Sequence, residues 1–458
     1  MTQSRWSSTD PCSSCADTAD PSSRTEQPAM VHNVHLDRRR FLGLGAGSLM
    51  VAALAPTGAL AQVQSRGGNG RLIPPPRVGT ILYTQRDAIS RWGVHDNPNP
   101  TMGYVGGPDY PDDPNDLGPL VPLPGGFLEV FEFLAAAGFR QVEFAGYNQH
   151  PNNVGGSAPN VGNGSNPNYA NFEAYREHAR TLRSFLDATG LEAIGSHGFI
   201  PSTWPGGPNG GMTQGDHDRF MLELEVASIL GMPYTGTGGD PTSASPNNRN
   251  VEAWDLAAEK WLALNDLAAT TGVSIYPHNH SPAYSFLQDG PMVEVTEDRL
   301  TGAPLATPQI VRGESGTRLM ERYLAMTDRS CPIELDVFWA HVAQHEHRWY
   351  YDWDGVRRES IFDPHAFTAA NTKRIPLYHA KDGDRNAEPE GIGRGYDMVP
   401  FGDPSSDIDY QRFFRQQGAK GWHNPNYEQD NAPGGSSDPG RSLRVSRFSA
   451  DNMQNLRG

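Results

Sequence analysis

Apolar and polar positions alternate along this chain in a recurring order: a short apolar run, a polar loop, then a stretch with apolar residues at helical spacing. Val78–Tyr83 reads as a strand. Gly126–Ala137 reads as a helix with Phe127, Val130, Phe131 and Leu134 on one face. The unit then repeats. Strands are expected at Gln141–Ala145, Leu191–His197, Pro233–Thr237, Val273–His278, Ile333–Phe338, Ile375–Tyr378 and in a stretch ending at Glu428. Helices are expected at Phe172–Ala188, Asp216–Leu230, Val251–Thr270, Thr317–Met326, Ile408–Gln417 and Leu443–Leu456. Eight strands alternating with helices predict an α/β fold of the (β/α)8 TIM-barrel kind, with no second domain. A doubly wound open sheet is the rival, but the glycine-rich phosphate turn it usually carries after the first strand is missing. The Gly/Pro/Asn-rich segments 84–125, 147–170, 239–250, 285–315 and 383–405 all follow strands. In a barrel such loops stand on the catalytic face.

The first residues follow another pattern. Arg38-Arg39-Arg40-Phe41-Leu42 opens a Gly/Ala-rich apolar run that ends at Ala59-Leu60-Ala61. This is the layout of a twin-arginine signal with an A-x-A cleavage site. Its apolar core is too short to span a bilayer, so no stable membrane anchor is expected after cleavage. The reading is therefore a signal at 1–61 (the true start being Met30), a linker at 62–75 and one barrel domain at 76–458, exported from the cytoplasm. Cys12 and Cys15 fall in the discarded part, which leaves Cys331 without an intramolecular disulfide partner. The 50 Gly and 38 Pro point to much loop. A net charge of −16 argues against a nucleic-acid partner, since phosphate binding needs a basic surface.

Chemistry-bearing side chains gather where the predicted strands end. Glu143, His197, His278, His280, Asp336, His341, His379, Lys381 and Glu428 all lie at or just past such ends. Because alternate strand residues point inward, Glu334 and Asp336 share a side, as do His379 and Lys381, and His278 and His280. Any one of these alone reads as a loop residue or a satisfied buried histidine. Their convergence on one mouth suits a divalent cation with nitrogen and oxygen ligands. Trp92, Trp204, Trp254, Trp339 and Trp422 include candidates for a sugar-stacking platform, most of them more ordinary core or loop anchors.

Four motifs in register, Tyr276-Pro277-His278-Asn279-His280, Glu334-Leu335-Asp336-Val337-Phe338-Trp339, Tyr378-His379-Ala380-Lys381-Asp382 and Tyr427-Glu428-Gln429-Asp430, resemble the xylose isomerase-like TIM-barrel family, specifically its sugar phosphate isomerase/epimerase members. The resemblance covers about residues 76–458. It implies a metal-dependent isomerase or epimerase acting on a carbohydrate, with Mn²⁺, Zn²⁺ or Mg²⁺ held by Asp336, His379 and Glu428. It further implies Glu428 as base, Lys381 and His197 binding or protonating substrate oxygens, and Glu143, His278, His341 and Trp339 around the substrate. Asp382 is expected to orient Lys381, and Glu334 to support His379 or Lys381 from one layer deeper. The sequence departs from the family where His-Asn-His-x-x-Glu is usual, because Ala283 stands at the acid position. Either His278 or His280 substitutes, or three protein ligands remain, or metal binding is lost; the reading adopted takes His280 as fourth ligand. Three rivals stand beside it: a lyase or hydratase on a keto-sugar or keto-glycoside, a barrel that only binds carbohydrate, and an endonuclease-IV-like repair enzyme. The oligomeric state stays open.

Overall fold

A computed structural model describes residues 70–146, 158–242, 248–385, 396–416 and 423–458, apart from residues 95, 96, 98 and 107–117. The expected leader and Trp422 lie outside the described residues.

Eight short parallel strands form the centre. They are β1 (Gly79–Ile81), β2 (Gln141–Phe144), β3 (Glu192–Ser196), β4 (Tyr234–Gly236), β5 (Ser274–Tyr276), β6 (Glu334–Asp336), β7 (Leu377–Ala380) and β8 (Asn424–Tyr427). Six of them run in the order β6-β7-β8-β1-β2-β3, and β4 pairs with β5. Single contacts complete the circle. His197 bridges to Gly236 between β3 and β4, and the Glu334 N–H donates to Pro277 O at 3.0 Å between β5 and β6. Each strand is therefore joined to both neighbours, which leaves the barrel sheet no free edge.

The helices pack outside because their apolar stripes demand it. In α1 (Gly126–Ala137), Phe127, Val130, Phe131 and Leu134 are buried against the barrel, and Phe127 and Phe131 both meet Phe144 of β2. The helix stops at Gly138, whose φ of 104° lies in the left-handed region that closes helix ends. Next come α2 (Phe172–Thr189), α3 (Gln214–Leu230) and α4 (Val251–Ala269), then α5 (Leu319–Met326), α6 (Val337–Glu346), α7 (Pro364–Asn371), α8 (Tyr410–Gln416) and α9 (Arg441–Asn455). Trp254 and Trp261 of α4 are fully buried.

Several expectations need correction. Helices α6 and α7 were not expected, and the segments expected to be loop at 84–125 and 383–405 carry short antiparallel pairs, Met102–Tyr104 with Leu120–Pro122 and Asp382–Arg385 with Tyr396–Val399. The strand expected over Ile333–Phe338 ends at Asp336, which caps α6 by accepting from the Trp339 N–H at 2.9 Å. The segment expected to be loop at 285–315 is a long antiparallel hairpin, Phe286–Glu297 with Pro304–Arg318. No described helix is long and apolar enough to cross a membrane.

Candidate active site

The strand ends bring the polar residues together in layers. Glu143 of β2 forms the floor. It is fully buried, takes Tyr276 Oη at 2.5 Å and Asn426 Nδ2 at 2.7 Å, and lies 3.2 Å from His379 Nε2. Burial and the nearby Glu334 push its pKa up. Glu334 sits beside it. Its Oε2 is 2.9 Å from His197 Nε2 and 3.0 Å from His278 Nδ1, and its Oε1 is 3.2 Å from His379 Nε2. Burial opposes this carboxylate's charge, but three surrounding imidazoles outweigh it and hold it well below the usual range. Its contacts are with the histidines, not with Lys381.

Asp336, His379, Lys381 and Glu428 form the layer above. Lys381 Nζ lies 3.0 Å from Asp336 Oδ2, 2.9 Å from Glu428 Oε2 and 3.1 Å from Asp430 Oδ1. Glu428 Oε2 is also 2.7 Å from His379 Nδ1. Burial pushes Asp336 up to about 6 against the pull of Lys381 and His379. Burial acts on Glu428 in the same direction, but Lys381 and His379 overcome it and keep its carboxylate well below the ordinary range. His379 is raised well above its ordinary value: burial disfavours its charge, and Glu334, Glu428 and Glu143 more than compensate.

This layer fits a cation. One ligand atom each from Asp336, His379 and Glu428 lies within 4.8 Å of the others. Asp336 Oδ2 and His379 Nδ1 are buried without an aligned hydrogen bond despite their close neighbours. Three carboxylates, Asp336, Glu428 and Asp430, share the ammonium of Lys381 and the imidazole of His379, so even with both cations charged anionic charge is in surplus. A deeper grouping of His197, His278, Glu334 and His379 also meets the distance test.

A cleft of about 350 Å³ opens over these residues, lined by Tyr83, His197, Thr237, His278, His280, Lys381, Glu428 and Asp430 among others. His197 is held from the side by Gly238, where a Cβ would stand 2.7 Å from Nδ1. His280 lines the cleft but belongs to neither grouping of ligand atoms. It packs edge-on against His278 and Trp339, and burial, then Lys381, lowers it to about 4. Trp339 is half-buried, its ring 5.7 Å from Lys381 Nζ. Trp92 is exposed, whereas Trp204 and Trp254 are buried.

His341 is not part of this assembly. It rides on α6, its Nδ1 is 2.8 Å from Val337 O of its own helix, and its ring faces His365. Asp382 does not orient Lys381 either: it accepts from the Gly383 and Gly402 N–H groups and from Ser406 Oγ, while Asp430 takes the lysine. Tyr83, Thr237 and Asp430 were missed as cleft residues. Their sequence signal is a place one to three residues beyond β1, β4 and β8, and for Asp430 also its position at the end of the motif Tyr427-Glu428-Gln429-Asp430.

A closed parallel barrel with its charged groups massed at the strand C-termini defines a TIM-barrel protein with an enzyme-type site. The family model described as "Xylose isomerase-like TIM barrel" matches residues 131–428, well over half of the chain, and the protein belongs to that family. Solved structures with similar folds include three relatives at low identity. A sugar phosphate isomerase/epimerase from Parabacteroides distasonis is 17% identical, with a TM-score of 0.44, over 72% of this chain and 89% of its own. A probable 3-DHS dehydratase from Bacillus anthracis is 10% identical, with a TM-score of 0.45, over 83% and 99%. A 3-keto-D-glucoside 4-epimerase from E. coli is 13% identical, with a TM-score of 0.39, over 71% and 94%. A search of curated proteins finds no match.

Proposed function

We propose that this protein is a metal-dependent enzyme that isomerises a carbohydrate by removing a proton next to a carbonyl. The observation that carries this reading is the meeting of Asp336, His379, Glu428 and Lys381 under one cleft with carboxylate in surplus. Asp336, His379 and Glu428 would hold a divalent cation, which when bound polarises adjacent substrate oxygens as a Lewis acid. Glu428 is kept ionised by Lys381 and His379, so it is ready to accept the proton at neutral pH. The C–H electron pair then moves toward the carbonyl oxygen, giving an enediolate. The Lys381 ammonium, itself fixed by three carboxylates at the cleft, would donate to the growing negative charge. The neighbouring hydroxyl passes its proton to the original carbonyl oxygen and becomes the new carbonyl as Glu428 returns its proton to the original carbonyl carbon, which completes a one-base isomerisation.

A second reading has an observation of its own. Ala283 is buried in the hydrophobic core, so this position supplies no carboxylate for a two-base epimerisation. One-base chemistry also serves elimination, in which the enediolate expels a β-oxygen; a lyase on a keto-sugar or keto-glycoside is therefore the alternative.

Metal-loaded protein incubated in D₂O with a panel of aldoses, ketoses and keto-glycosides separates the two. Isomerisation leaves substrate and product isomers, with deuterium at the α-carbon wherever the abstracted proton exchanges with solvent; elimination leaves an unsaturated product. Glu428→Gln should reduce either turnover by at least ~100-fold. Absence of turnover and exchange across the panel would refute the enzymatic reading.

A further inference from the structure

Between β5 and the turn Ser281–Tyr284, the chain fixes His278 more tightly than a substrate contact requires. Asn279, its neighbour, imitates a strand ladder: its Oδ1 accepts from Asp336 N at 3.0 Å and its Nδ2 donates to Asp336 O at 3.2 Å. The His278 N–H donates to Gly239 O at 2.9 Å. This locks the His278 backbone beside that of Asp336.

The ring is oriented as well. His278 Nδ1 lies 3.0 Å from Glu334 Oε2, and a carboxylate oxygen accepts, so Nδ1 carries the hydrogen. Nε2 is then the bare nitrogen. It stands 3.7 Å from Asp336 Oδ2, in a ring 4.6 Å from that of His379, at the wall of the cleft. A carboxylate that holds one imidazole nitrogen while the other faces a candidate cation site is the arrangement that orients metal-binding histidines. His280 has neither feature. His278 falls in the deeper grouping with His197, Glu334 and His379, but its bare nitrogen is the one that approaches Asp336. Ala283 turns its methyl into the hydrophobic core and has nothing to contribute.

We propose that His278 Nε2 is the fourth protein donor to the cation, beside Asp336, His379 and Glu428, and that the resulting two-imidazole, two-carboxylate set selects a borderline transition ion such as Co²⁺, Zn²⁺ or Fe²⁺ over Mg²⁺. The inference rests on the cation site assigned under the proposed function. Exchanging an acid for a neutral imidazole removes one negative charge and one hard oxygen. Magnesium binds oxygen donors and gives up its water reluctantly, so it loses most; imidazole suits zinc, iron and the other borderline ions.

The test is calorimetric titration of the metal-stripped full chain with Co²⁺ and Mg²⁺ separately, together with the visible absorption of bound Co²⁺. Wild type should bind Co²⁺ at least ~100-fold more tightly than Mg²⁺. His278→Ala should weaken Co²⁺ by roughly 100-fold or more, beyond the ~10–100-fold expected of an outer partner, and should alter the Co²⁺ spectrum. His280→Ala should leave both unchanged. His278→Gln, close in size, guards against a folding defect and should weaken Co²⁺ as the alanine does, with circular dichroism unchanged. Equal or tighter binding of Mg²⁺ by wild type overturns the selectivity. A Co²⁺ loss in His280→Ala with none in His278→Ala overturns the ligand assignment. A loss in His197→Ala as large as in His278→Ala places the ion in the deeper grouping and overturns it too. If wild type binds neither ion, the underlying site fails; if Asp336→Asn loses Co²⁺ while His278→Ala does not, only this inference fails.

Discussion

Asp382 shows how neighbours in sequence divide their work at the mouth. The motif Tyr378-His379-Ala380-Lys381-Asp382 suggests that the acid serves the lysine, yet Asp382 faces away and pins the segment around Gly402 and Ser406. Burial raises its pKa to about 7, against the opposing hydrogen bonds from Ser406, Gly402 and Gly383. The folded state therefore binds this proton more tightly than the unfolded chain, whose Asp titrates near ~3.9. Stability from this group is present below the unfolded value and falls as pH rises from about 4 to about 7. Asp382→Asn should abolish that falling limb. In urea unfolding at pH 4.5 and 7.5, the wild-type loss between the two pH values should exceed the variant's; equal losses would contradict the account. The inward side of each strand end was legible, because alternation places Glu334 with Asp336 and His379 with Lys381. Partner choice was not. Whether Lys381 meets Asp382 or Asp430, and whether His278 or His280 faces Asp336, depends on ring and carboxylate directions that spacing alone does not carry.

Elements were most legible where one period prevailed. Helix α1 ends where its apolar stripe meets Gly138, and all eight barrel strands lie within or beside their expected positions. The β6–α6 junction was misread because Val337-Phe338-Trp339 are residues that strands favour, while the capping signal lies in Asp336 itself. That misreading is what put His341 at a strand end. The hairpin Phe286–Arg318 was misread as loop because much of both its faces is open, so no apolar alternation marks it. Asp336 thus has two tasks, candidate ligand and helix cap, and they are separable. Asp336→Asn removes the charge and keeps a capping oxygen, whereas Asp336→Ala removes both. In metal-free protein the alanine variant should be less stable than the asparagine variant by about 1 kcal/mol. Equal unfolding midpoints would show that the cap contributes nothing.

At the scale of the molecule, repetition made the barrel visible: eight strands with a helix expected after all but the sixth, and the long loops all after strands. A closed barrel with every joint bonded holds its strand ends rigidly, so side chains from β2, β3, β5, β6, β7 and β8 meet within a few ångströms although they are scattered from Glu143 to Glu428. Within the described parts of the long loops, contacts such as Arg249 and Arg299 on Glu314 join residues far apart in sequence, which spacing alone does not announce. The central claim is that this mouth holds a divalent cation on Asp336, His379 and Glu428. It is tested most directly by the anomalous-difference map of a crystal soaked in Co²⁺ and measured on both sides of the cobalt edge. The account predicts one strong peak within bonding distance of those three side chains. A map with no peak there, or with its only peak elsewhere on the protein, would contradict it.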